Sequence, residues 1–434
     1  MSLGFVKFGA TTAAQLMSRS QMDVMNHAVR TQSMWWGSVP MGAPDTILGI
    51  RDKYNKDSSP KKVNLGVGAY RDDDGKPFVL PSVRKAEELI YQKCMNHEYA
   101  PIAGEVAFRE ACAKLAFGDC SQPIVDKTNA TVQTLSGTGA LRLGLDFINR
   151  YWQKKREVWL PNPTWFNHPQ ICDMLCLPYK KYRYYDPKTK GFDVNGACED
   201  LCRAPEGSVI LLHACAHNPT GVDPKKEEWE CLSKIIKEKK LFPFFDMAYQ
   251  GFATGSVDRD AQAVRIFVKD GHQVMLAQSF AKNMGLYGER VGALTVLCGD
   301  KCTADKVMSQ LKVSIRTIYS NPAINGSRIV KEILTNAELK QQWLVDVKAM
   351  ADRIITMRKM LREAIEGAGS KHKWNHITDQ IGMFCYTGLT PAQVDRITKE
   401  CHIYLTKDGR ISVAGITTKN VAYVAESIHK VTSS

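Results

Sequence analysis

Between Thr131 and Cys298, short apolar, β-rich runs alternate with longer mixed segments, and this alternation leaves the chain few architectures. The runs are Thr131–Leu135, Glu157–Leu160, Ser208–Leu212, Leu241–Phe245, Gln273–Ala277 and Gly292–Leu297. A run that is apolar almost throughout is a strand covered on both faces. Stretches such as Lys225–Lys240, rich in Glu, Lys and Ile, read as helices between the runs. The pattern predicts an α/β fold, a mostly parallel sheet with helices on both faces. Ligands of such sheets bind beyond the carboxyl ends of the strands. Chemistry-bearing residues follow the runs there: Ser136, Pro163-Thr164-Trp165, Asn218, Asp246 and Lys282.

After Ala323 the texture changes to long helical patterns, Gly326–Asn336 and then Ala337–Gly367. In the second, Trp343, Val347, Ala351, Ile354 and Met357 recur at helical spacing. Strands near Met383–Tyr386 and Arg410–Ala414 complete a second, smaller α+β domain. Before the sheet, Pro44-Asp45-Thr46-Ile47 opens a helix, and Val63–Gly68 is a candidate to join the sheet.

The net charge of +13 is spread over Lys and Arg mixed with acids, with short clusters only, such as Lys154-Lys155-Arg156. That favours a solvated surface over polyanion binding. No stretch approaches the ~18 uninterrupted apolar residues of a membrane span. Thirteen cysteines, an odd number without Cys-x-x-Cys pairs, fit buried free thiols in a reducing compartment better than disulfides or a zinc site, and no metal is expected. The first thirty residues hold Lys7, Arg19 and Arg30 against one acid, Asp23, with several Ser and Thr. This is the composition of a mitochondrial presequence, an unstructured tail being the plainer alternative.

Five local patterns carry chemistry. Ser136-Gly137-Thr138-Gly139 follows a strand and opens a helix, so backbone amides, hydroxyls and the helix N-terminus suit an anion. Pro163-Thr164-Trp165 holds an indole that can stack on a flat heteroaromatic ring. Asp246 ends the apolar run Phe244-Phe245, where an isolated carboxylate demands a cationic partner. A protonated pyridine nitrogen is one candidate and a buried Arg or His, with His168 as a neighbour, the other; Tyr249 follows as a donor. Ser279-Phe280-Ala281-Lys282 ends a strand in a hydroxyl and a lysine; partly desolvated, such a lysine is an amine nucleophile for Schiff bases. Arg316 and Arg410 suit a substrate with two carboxylates. Together these features describe a pyridoxal phosphate site. His213-Ala214-Cys215-Ala216-His217 would line one face if the strand continued, and its histidines read as satisfied polar core groups rather than metal ligands.

Val63–Arg71, Tyr99-Ala100-Pro101-Ile102-Ala103-Gly104, Gln133–Arg142, His213–Asp223, Phe244–Phe252, Ser279–Gly292, Tyr319–Pro322 and Ile377–Cys385 carry a resemblance from Trp35 to the C-terminus. The chain resembles the aspartate aminotransferases of the fold-type I pyridoxal phosphate superfamily, in their mitochondrial form. The resemblance implies a seven-stranded, mostly parallel sheet in a large domain (78–349), an N-terminal arm and the first part of a smaller domain over 31–77, the remainder of that domain over 350–434, and a presequence over 1–30. It implies a homodimer with shared sites in the mitochondrial matrix, acting on dicarboxylic amino acids and 2-oxo acids. The reaction implied is ping-pong amino transfer between L-aspartate and 2-oxoglutarate.

Residue by residue, the resemblance makes Lys282 the cofactor-linked lysine and proton shuttle. Asp246 pairs with the pyridine nitrogen and His168 supports it. Tyr249 and Asn218 meet the phenolic oxygen, and Trp165 stacks on the ring. Ser136, Gly137, Thr138, Ser279 and Arg290 hold the phosphate, joined by Tyr99 from the other subunit. Arg410 takes the substrate α-carboxylate, touched also by Gly68, and the partner subunit's Arg316 takes the side-chain carboxylate. Phe166, where the family has glycine, and Thr317, where it has proline, depart from the pattern. A lyase on the same fold and a non-catalytic binding protein are the competing readings.

Overall fold

The computed structural model describes residues 35–42, 46–66 and 68–433. The presequence expected over 1–30 and the Pro44-Asp45 start of the first helix lie outside them. Residues 35–42 comprise a turn followed by irregular backbone, with Trp35, Trp36 and Met41 exposed.

The alternating region forms a seven-stranded sheet. Its strands are β1 (Asn129–Leu135), β2 (Val158–Asn162), β3 (Tyr179–Arg183), β4 (Val209–His213), β5 (Phe242–Met247), β6 (Met275–Ser279) and β7 (Val291–Leu297), in the spatial order β1-β7-β6-β5-β4-β2-β3. β7 pairs antiparallel with both β1 and β6, and every other pairing is parallel. Six strands therefore run one way and β7 alone runs back. Edge strand β3 is absent from the sequence reading because its residues, Tyr-Lys-Lys-Tyr-Arg, are mostly polar and exposed.

The apolar runs work as two-faced strands. Val209 and Leu211 of β4, Phe244 of β5 and Met275 of β6 pack into one core. Ile210 and Leu212, Phe245 and Met247, and Leu276 pack into the other. Helices α1 (Ser136–Tyr151) and α3 (Lys301–Ile318) contribute to the first core, and α2 (Lys226–Glu238) contributes to the second. A third core gathers α4 (Asn325–Thr335), α5 (Ala337–Gly367), the helices Pro81–Gln92 and Val421–Thr432, and the ribbon of β8 (Phe384–Tyr386) with antiparallel β9 (Arg410–Ser412). Val63–Asn64 does not join the large sheet; it pairs in parallel with Ile403–Tyr404. All thirteen cysteines are unpaired, and six of them are buried. Among the described residues no helix is long and apolar enough to cross a membrane.

Candidate active site

Because β7 runs backwards, its first residue lies at the sheet end where its neighbours finish: Val291 pairs with Leu135 and Gly292 with Ser279. Ser136, Ser279 and Arg290 therefore meet at one rim. The Ser136 and Ser279 hydroxyls are 3.0 Å apart. A Cβ on Gly137 would come 3.1 Å from the Cβ of Ser279, and one on Gly292 only 2.4 Å from the Gln278 carbonyl, so both glycines permit the close approach. Ser136 and Arg290 hold φ of 61° and 51°, in the left-handed region that non-glycine residues seldom adopt. Leu135 precedes α1 and offers no side-chain cap, so the first-turn amides lack that acceptor. Unfilled amides, two hydroxyls and a guanidinium form an anion cradle.

The cradle opens into a pocket of about 190 Å³. Its lining includes Gly68, Ser136, Gly137, Thr138, Trp165, Asn218, Asp246, Tyr249, Ser279, Lys282, Arg290 and Arg410. The amine of Lys282 makes no hydrogen bond or ion pair among the described residues and stands 5.6 Å from the centre of the Tyr249 ring. Burial lowers its pKa; Asp246 partly counteracts this and Arg290 reinforces it.

Asp246 is held from behind. His168 Nε2 lies 3.0 Å from its Oδ2, and His168 Nδ1 lies 2.7 Å from Thr164 Oγ1. That hydroxyl is 3.2 Å from His213 Nε2, and the Asn218 amide donates to His213 Nδ1 at 3.4 Å. An amide can only donate, so the chain has one polarity: Asn218 N–H to His213, His213 to Thr164, Thr164 to His168, His168 to the carboxylate. Burial moves the His213 pKa down to about 3, which keeps its Nδ1 available as an acceptor. Burial alone would raise the Asp246 carboxyl, but the His168 bond and neighbouring charges, Lys282 among them, hold it below its ordinary value. Asp246 is thus an ionised carboxylate at the pocket floor.

Arg410 is the other charged wall. It is buried, donates from Nη2 to the Gly66 carbonyl at 2.9 Å and from Nη1 to Asn218 Oδ1 at 3.4 Å, and its guanidinium carbon sits 4.2 Å over the Phe384 ring. Its Nε has no partner, and no carboxylate pairs with it among the described residues. A buried arginine facing a pocket without a counter-ion is a site for a carboxylate.

A family model described as aminotransferase class I and II matches residues 60–428. The chain belongs to the class I and II aminotransferases. Similar to this aminotransferase are two mitochondrial aspartate aminotransferases. That of Xenopus tropicalis is 56% identical over 400 residues, covering 92% of this chain and 94% of its own. That of Gallus gallus is 54% identical over 421 residues, covering 96% and 100%. The solved aromatic-amino-acid aminotransferase of Burkholderia pseudomallei, covalently bound to pyridoxal phosphate, matches with a TM-score of 0.89 at 42% identity, covering 92% of this chain and 99% of its own.

Three candidate residues stand outside the aminotransferase pocket. His168 lies behind Asp246, while Tyr99 and Arg316 are exposed. Arg316 donates to Ser320 and, at 3.1 Å, to Asn321. The period-two argument for residues 213, 215 and 217 fails, because β4 stops at His213 and Ala216 turns the backbone with a φ of 50°. His213 uses both nitrogens, whereas His217 leaves Nε2 without a partner. Thr164 and Phe384 had no role in the sequence reading. Thr164 was visible within Pro163-Thr164-Trp165; Phe384 emerges only from the register that places Tyr386 opposite Arg410. Phe166 stands edge-on to Trp165 at 5.8 Å, and the Thr317 hydroxyl bonds back to the Ser314 carbonyl.

Proposed function

We propose that this chain is a pyridoxal phosphate-dependent aspartate aminotransferase, exchanging the amino group between L-aspartate and 2-oxoglutarate to give oxaloacetate and L-glutamate. The carrying observation is Arg410, buried without a carboxylate partner and opening on the same pocket as the lowered-pKa amine of Lys282. The residues present suit pyridoxal phosphate: an anion cradle whose glycines admit close approach, an ionised Asp246 and an unpaired lysine lining the same pocket. Ser136, Gly137, Thr138, Ser279 and Arg290 would hold its phosphate, Asp246 its ring nitrogen, Tyr249 and Asn218 its phenolic oxygen, and Trp165 its face. When bound, the cofactor supplies a carbonyl for covalent linkage to amines and an electron-withdrawing ring.

The chain's own groups do the rest. Arg410, with Gly68 beside it, anchors the substrate α-carboxylate and so fixes the α-carbon near Lys282. A neutral Lys282 amine takes the proton from that carbon and returns it, work for which a depressed pKa is required at neutral pH. Asp246 stays ionised through His168, Thr164 and His213, and this fixed negative charge favours a protonated ring nitrogen. Trp165 shields one side from water.

The dimeric reading accounts for the two exposed residues: Tyr99 and Arg316 would complete the pocket of a second copy, Arg316 taking the side-chain carboxylate. Residues 1–30 would direct the chain to the mitochondrial matrix, 31–77 would supply an N-terminal arm and the first part of the smaller domain, 350–434 the remainder of it, and 78–349 the large domain. The decisive test is the absorption spectrum of the purified protein. Aspartate should convert its visible band, and 2-oxoglutarate should restore it. A band that does not respond to dicarboxylic amino acids, or product formation independent of the oxo acid, would replace transfer with another chemistry.

A further inference from the structure

Three arginines are buried among the described residues, each with an unpartnered Nε, and two of them, Arg358 and Arg410, donate hydrogen bonds from their terminal nitrogens. Arg358 donates to the carbonyls of Ile377 and Gly382 at 2.8 Å and to that of Phe384. Arg410 has the partners already described. Arg328, on α4, is 8% exposed, and no hydrogen bond, ion pair or ring contact engages its guanidinium among the described residues; its Nε is fully enclosed. A guanidinium cannot lose its proton to escape burial, so its charge needs an acceptor.

Arg328 lines a cleft of about 430 Å³ that shares no lining residue with the pocket of Lys282 and Arg410 and is lined also by Lys93, Lys331, Glu332 and Asn336. Glu332 lies one helical turn from Arg328, where it would ordinarily pair with it. Instead it gives both oxygens to Lys93, at 2.8 and 2.7 Å. Lys331 is taken by Glu105 at 2.6 Å. Both lysines are thus neutralised and Arg328 is the surplus positive charge. Asn336 caps α5 through Oδ1, leaving its NH2 group as a second donor beside the cleft.

We propose that this cleft is an oxyanion site in which Arg328 binds a carboxylate or phosphate-class group, either a small free anion or an acidic side chain of a second copy of this chain. Both sources share one chemistry, a planar guanidinium meeting paired oxygens.

The test compares the holoenzyme with Arg328→Met. Calorimetric titration with inorganic phosphate should reveal a site in the parent that is weakened at least ~10-fold in the variant, as expected when a charge-assisted pair is lost. Phosphate binding at the active site is common to both proteins and cancels. If the acceptor is a neighbouring chain, phosphate titrations will match, but sedimentation will show the variant's self-association weakened at least ~10-fold. Matching titrations together with matching self-association would overturn the proposal. Should Arg328→Met fail to fold, crystals of the parent soaked in selenate decide. A selenium peak or a neighbouring carboxylate within hydrogen-bond distance of Arg328 supports the site, and neither being present refutes it.

Discussion

Replacing Arg410 with lysine tests the anchoring of the substrate most directly. The guanidinium donates to the Gly66 carbonyl and the Asn218 side chain while lying over Phe384, so its plane is fixed before substrate arrives. Lysine keeps the charge but presents a compact ammonium, which cannot both keep those partners and grip two carboxylate oxygens. One charge-assisted hydrogen bond to substrate is lost, about 1.5–3 kcal/mol. Since each 1.36 kcal/mol is tenfold, kcat/KM for aspartate should fall roughly 10- to 150-fold. The α-carboxylate is common to all amino-acid substrates, so alanine should lose by the same factor. Stopped-flow measurement of each half-reaction gives both numbers. An unchanged kcat/KM for aspartate would remove Arg410 from the α-carboxylate. A fall for aspartate but not for alanine would assign it to the side-chain carboxylate instead.

Lys282→Ala should lose turnover by ~10²–10⁴-fold or more, since a positioned proton carrier is worth that much; borohydride should label Lys282 in the parent, and label on another lysine would end the assignment. Thr164→Val leaves His168 Nδ1 and His213 Nε2 without their partner and should destabilise the fold by about 1–3 kcal/mol for each group in urea titrations, with a change under ~0.5 kcal/mol refuting the relay. Burial lowers the His376 pKa from 6.5 to about 4, so the unfolded chain binds the extra proton between those values and this histidine makes the fold lose stability as pH falls through them. His376→Gln should flatten that part of the stability curve by up to about 1.4 kcal/mol per pH unit, and superimposable curves would contradict the burial argument. Mixing Lys282→Ala with Arg316→Ala chains under subunit exchange should restore about a quarter of parental activity, because half the dimers are mixed and each holds one intact pocket; no recovery would place Arg316 in its own chain's site.

The fold was largely legible because buried strands must be apolar on both faces, which marks β1, β2 and β4 to β7 without reference to any relative. β3 escaped because an edge strand with exposed lysines lacks that signature. Helix α5 was read to its ends, since its stripe of Trp343, Val347 and Ile354 has helical period throughout. Val63–Asn64 was misplaced because a strand does not declare its partner; only the pairing with Ile403–Tyr404 does. At the site, residues at the strand ends were visible from their position. The His213–Thr164 relay was not, since it joins the ends of β4 and β2, which touch only in the folded sheet.

The sheet's single reversed strand separates two kinds of change. Ser279 and Gly292 are locked face to face, so the segment between them, with Lys282 and Arg290 upon it, is a loop tethered at both ends to fully buried strands. Inserting or deleting a residue there would shift the lysine and the cradle together. Arg410 sits on a separate ribbon with β8, stitched to neither tether. Changes confined to the ribbon can therefore alter the surroundings of Arg410 without disturbing the loop that carries Lys282 and Arg290.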